Sequence, residues 1–135
     1  MTEDIFNFLK TKLLAAGYTK VYDTILPYDD DSSPTDNVCT VRFAQGQRHR
    51  DLKGVLQYVE QPISVICRGT DNRKTSRTRA EAAVSAIDGV YGQSEGSTDI
   101  IYMSVSPAID EGISEERGQA YHTLQITAKY GPSNA

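Results

Sequence analysis

Two histidines and two cysteines are the residues of this chain best suited by type to proton transfer, nucleophilic attack or soft-metal binding. A working nucleophile needs a base within reach, a third group to orient that base, and an open pocket. His49 stands between Arg48 and Arg50 in a polar stretch, so it reads as a solvated loop residue. His122 alternates with Tyr121 inside a strand-like pattern and reads as a packed or surface strand residue. Cys39 and Cys67 each lie in an apolar run, and neither has a second thiol at metal-ligand spacing. They read as small buried hydrophobes in a reducing compartment, and a disulfide between neighbouring strands stays open. Asp29, Asp30, Asp31 and Asp36 lack the glycine and the distal glutamate of a calcium loop, so they read as solvated charge. Glu111, Glu115 and Glu116 read the same way. No phosphate-cradling loop, dinucleotide fingerprint or nucleophile elbow is present. The residue pattern therefore predicts no enzyme, no catalytic or metal-binding residue and no cofactor.

The basic residues say more. Arg68, Arg73, Lys74, Arg77 and Arg79 fall close together, and Arg48, Arg50 and Lys53 make a second group. Two uses fit such runs: a solvated face, or an electrostatic docking surface for an acidic patch or for phosphates. Positive and negative segments are separated along the chain while the net charge is only -4. That separation suits head-to-tail contacts between copies, with Asp29, Asp30, Asp31, Glu111, Glu115 and Glu116 opposite the basic run.

These residues sit on elements that the periodicity predicts. Ile5, Leu9, Leu13 and Ala16 recur at helical spacing with Phe6 beside them, which predicts a helix over about 3–16, capped by Thr2 and closed by Gly17. Strands are predicted at 21–26, 38–43 and 62–68, where β-branched residues dominate. Residues 44–61 carry no firm assignment. Ala80, Ala83, Val84 and Ile87 predict a second helix over about 75–88, capped by Asp71 or Thr75. Strands at 99–106 and 120–130 follow, the latter with Leu124, Ile126 and Ala128 on one face. The expected fold is α+β, in the order α-β-β-β-α-β-β, with a mostly antiparallel sheet and both helices on one face. One domain is expected over 1–135, with flexible loops at about 27–37, 45–60 and 108–118 and a short tail at 131–135.

Bulk properties fit a globular domain. Hydrophobic residues make up 39 % and charged residues 24 %, too apolar for a disordered chain. No apolar run approaches the ~20 residues of a membrane-spanning helix. The acidic start, Met1-Thr2-Glu3-Asp4, does not look like a signal peptide. A net charge of -4 argues against a dedicated nucleic-acid binder.

The element pattern resembles the small tail terminator, or minor capsid, proteins of long-tailed bacteriophages. The resemblance runs over about residues 2–131. It rests on three features: the helix Asp4 to Ala16 followed by a strand and a polar loop; the strand Val65-Ile66-Cys67-Arg68-Gly69 running into the helix Thr78 to Ile87; and the closing pair around Tyr102–Pro107 and Gly118–Ala128. It implies a hexameric ring that caps the tail tube, ends its polymerisation and joins the tail to the head. Its partners would be other copies, the tail tube protein and a head-completion or connector protein, with genomic DNA passing through the channel unread. Its place would be the virion neck, assembled in the bacterial cytoplasm. Head-completion and neck proteins share similar small α+β folds, and a binding module unrelated to phage is the remaining alternative.

Overall fold

The computed structural model describes residues 1–23, 36–113 and 118–133. Its elements are α1 (Thr2–Ala15), β1 (Lys20–Asp23), β2 (Val38–Phe43), β3 (Gln47–Arg50), β4 (Leu56–Arg68), α2 (Arg73–Ile87), β5 (Tyr91–Glu95), β6 (Thr98–Val105), β7 (Ile109–Ile113) and β8 (Ala120–Pro132). The α+β class is as expected.

The sheet is richer than the periodicity predicts. Five strands were expected, and the described residues form eight. The additional strands β3 and β7 lie in stretches that read as loops, at 45–60 and 108–118, and β5 lies in the unassigned stretch between the second helix and the strand at 99–106. The reason is physical. Their sequences, QRHR, YGQSE and IDEGI, bury almost nothing, so backbone pairing holds them and no apolar alternation marks them. A second departure is the parallel pairing of β1 with β2. Parallel neighbours need a long connection, and the polar stretch between Asp23 and Val38 supplies the length. The rest of the expected loop at 27–37, up to residue 35, lies outside the described residues.

Two strands of 13 residues form the spine. β4 and β8 pair antiparallel from Val59↔Tyr130 to Arg68↔Tyr121. Each carries two partners in succession on its outer edge. β4 pairs with β3 over its first part and with β2 from Ile63 to Arg68. Pro62 sits at the changeover, where its carbonyl accepts from Ala44 N at 3.0 Å. A proline is tolerated mid-strand there because its missing N–H points at the turn between β2 and β3, where no ladder bond is lost. On the other side, β8 pairs with β7 over Ala120–Thr123 and with β6 from Ile126 onward.

One apolar cluster lies between the helices and the sheet. Ile63, Val65 and Cys67 of β4 and Leu124, Ile126 and Ala128 of β8 meet Ile5, Leu9 and Leu13 of α1 and Ala83 and Ile87 of α2. Phe8 belongs to this face too, and Phe6 packs at its margin. The caps differ from those expected. Thr2 is already helical and the cap position is Met1, which has no side-chain bond to offer. The start of α1 is tied down instead by Asp4, whose carboxylate accepts from Thr98 Oγ1 at 2.8 Å beside the turn between β5 and β6. Asn72, rather than Asp71 or Thr75, caps α2 by accepting from Thr75 N at 3.1 Å.

Candidate interaction surfaces

The basic run at the start of α2 is largely engaged by its own chain. Arg73 and Arg77 lie one helical turn apart and share a face. Both reach Asp110 Oδ2 on β7, at 2.8 and 3.5 Å. The Gly112 N–H and the Arg73 guanidinium hold the Asp110 carboxyl down at about 2. Arg79 turns to the other side of the helix, donates to Asn37 Oδ1 and lies 5.9 Å over the Tyr18 ring. Arg68 leaves the end of β4, with its guanidinium 5.8 Å over Tyr121. Lys74 stands exposed at the rim of a shallow hollow with Ala16 and Ala82. The five residues therefore do not form one patch. Of the expected acidic partners, Glu111 is exposed on β7. Asp29, Asp30, Asp31, Glu115 and Glu116 lie outside the described residues.

Strand register brings together a row that spacing along the chain conceals. Cys39 pairs with Cys67, Cys67 with His122, and His122 with Asp110, across β2, β4, β8 and β7. A thiol, an imidazole and a carboxylate in a row invite a nucleophilic reading, but access decides against it. Cys67 and His122 are 1 % and 2 % exposed. The Cys67 sulfur lies 3.6 Å from Cys39 Sγ, with the Tyr18 hydroxyl also against it. Burial pushes the Cys39 thiol well up and the His122 imidazole down, so both are held neutral. Among the described residues no group of three His, Cys, Asp or Glu side chains could hold a metal.

The most unusual surface is the tip between β3 and β4, which the sequence left unassigned. Residues 51–55 turn around one side chain. Asp51 Oδ1 accepts from Lys53 N at 2.8 Å and from Val55 N at 2.9 Å. Its carbonyl accepts from Gly54 N at 3.0 Å, and Arg50 Nη1 donates to Gly54 O at 2.9 Å. Gly54 takes φ 80°, a conformation that favours glycine. Behind the tip, His49 stacks on Tyr58 at 4.3 Å, and Lys129 Nζ lies 4.1 Å over the other partner of that stack. This rigid turn presents two apolar side chains to water: Leu52 is 107 % exposed and Val55 55 %. Arg50 and Lys53 flank them within the turn, and among the described residues neither forms an ion pair. Asp51 followed by Gly54 is a turn signal that the sequence does carry.

A groove of about 470 Å³ lies across the molecule, between the second half of α2 and the link from β6 to β7. Val84, Val105, Pro107 and Ala108 make it apolar, and Glu81 and Asp88 put acid at its rim. Asp88 is anchored there by accepting from Val105 N at 2.9 Å. Searches with the sequence match no protein-family model and no curated protein.

Proposed function

We propose that this chain is a structural virion assembly protein that associates with copies of itself, of the kind that closes a ring on a phage tail tube. In that role it ends tube polymerisation, contacts the tail tube protein on one side and a head-completion or connector protein on the other, and lets DNA pass without reading it. A head-completion or neck role uses the same property, self-association of a small α+β subunit. Its place is the virion neck, after assembly in the bacterial cytoplasm.

The tip at 51–55 carries the proposal. Folding stability does not account for a leucine wholly in water on a turn braced by six hydrogen bonds to or beside Asp51. Because the turn is already ordered, docking it costs little conformational entropy, which is what a preformed binding anchor needs. Tyr91, Ile101 and Tyr102 on β5 and β6, with Ile109 and Ile113 on β7, leave further apolar surface on the opposite edge of the sheet. Light scattering on a size-exclusion column, at low and moderate salt, tests the proposal. A mass near six times 14.9 kDa supports the ring. A chain that stays at 14.9 kDa at every concentration, and also fails to bind purified tail tubes, overturns it.

A further inference from the structure

The structure assigns the occupant of the groove beside α2: the 51–55 tip of a second copy of this chain, seated head to tail. The inference rests on the self-association proposed above and adds the two surfaces that make the contact.

Three observations converge on this pairing. The first is shape and polarity. Leu52 and Val55 form a small apolar knob on a rigid turn. The groove floor of Val84, Val105, Pro107 and Ala108 is apolar and concave, with about 470 Å³ to fill. The second is charge. The knob carries basic neighbours, Arg50 and Lys53, and the groove wears an acidic rim, Glu81 and Asp88. Opposite charge around an apolar centre fixes orientation and speeds encounter. The third is topology. The knob projects from β3, on the outer edge of β4, while the groove lies beside β6 and β7, on the outer edge of β8. With β4 and β8 between them, a subunit that offers its knob to one neighbour still has its groove open for another. Such a contact is heterologous, and it closes into a ring when the rotation per subunit allows.

Complementation between two broken subunits tests this. Leu52→Glu spoils the knob, placing a carboxylate against the acidic rim. Ser85→Trp spoils the groove, placing uncharged bulk in its exposed lining. Both residues are exposed, so each variant should fold, which circular dichroism verifies. Each variant alone should associate at least ~30-fold more weakly than wild type and run as a monomer. Mixed one to one, they retain one intact contact: the Ser85→Trp subunit supplies a knob and the Leu52→Glu subunit supplies a groove. The mixture should run at twice 14.9 kDa and no larger, and the dimer should weaken as salt rises. A wild-type oligomer that survives both substitutions leaves self-association standing and overturns this pairing. Two monomeric variants that stay monomeric when mixed also overturn it. A wild type that never associates overturns the self-association reading, and the pairing falls with it.

Discussion

The start of α2 and the tip between β3 and β4 are both crowded with basic side chains, yet they use them in opposite ways. At α2 the cations are turned inward on the chain: Arg73 and Arg77 onto Asp110, Arg79 onto Asn37 and Tyr18. At the tip the backbone is braced just as firmly, but the cations flank two apolar side chains that face water. The comparison teaches that charge density in a sequence does not by itself mark a docking face. A cation paired within its own chain has little attraction left to offer a partner, and part of it would be lost on docking. A rigid exposed leucine has much more to gain. The α2 region should accordingly respond to mutation in stability, and the tip in association.

The hardest test of the α2 side is Gly69→Ala. A Cβ at Gly69 would collide with Ser76 Oγ and meet Ser76 Cβ at 2.6 Å, on a buried stretch of helix that cannot easily yield. The same hydroxyl accepts from Thr70 N at 3.1 Å, and the next bonds, Gly69 N to Ala120 O and Ala120 N to Thr70 O, sew β4 to β8. Overpacking there should cost about 2–3 kcal/mol and lower Tm on the order of 10 °C. Subunit mass at matched folded fraction should not change. A variant that melts like wild type would show that α2 is not seated as closely as these distances imply.

Arg79→Met should have a middling effect. It keeps most of the stem that packs against Tyr18 and Gly17 but removes the guanidinium that reaches Asn37. Asn37 holds φ 58°, and its carbonyl accepts from Thr19 N at 2.7 Å, so this link fixes the entry to β2. Loss of a partly buried, charge-assisted bond should cost ~1–2 kcal/mol. Thermal unfolding would show a drop of roughly 3–8 °C. A drop in oligomer mass with Tm unchanged would instead move Arg79 from the fold to the interface and blur the contrast between the two regions.

The sequence made the core legible and the edges illegible, for one reason. Ile5, Leu9 and Leu13, then Ala80, Ala83 and Ile87, then Leu124, Ile126 and Ala128 repeat with the period of their element because each buries one face. Backbone pairing rather than burial holds β3, β5 and β7, and the ladder bonds of an edge strand leave no mark in side-chain type. The pairing of Arg73 and Arg77 with Asp110 was hidden likewise, because it follows from β7 lying beside β8, and β7 read as a loop. The tip was only half visible. Asp51 and Gly54 mark a turn, but that Leu52 points into water on a braced scaffold depends on β3 existing at all.

The gentlest perturbation separates the two regions most directly. Reversing both Arg73 and Arg77 to glutamate would weaken assembly if the basic run were a docking face. With both side chains about half exposed and paired to Asp110, the expected effect at neutral pH is a fall in Tm within ~2 °C and no change in mass. Acid should reveal more. Asp110 titrates at about 2 in the folded chain, below its ordinary 3.8, so its contribution to stability is present above 3.8 and is lost as pH falls toward 2. With two glutamates in place of the arginines, the Gly112 N–H still holds the carboxyl down but the guanidinium no longer does, so this acid-labile part is smaller. Melting curves from pH 5 down to pH 2 should show a loss for wild type that is reduced in the double variant. If the double variant instead dissociates at neutral pH with its Tm intact, the cations at α2 are the docking surface, and the contrast with the hairpin tip fails.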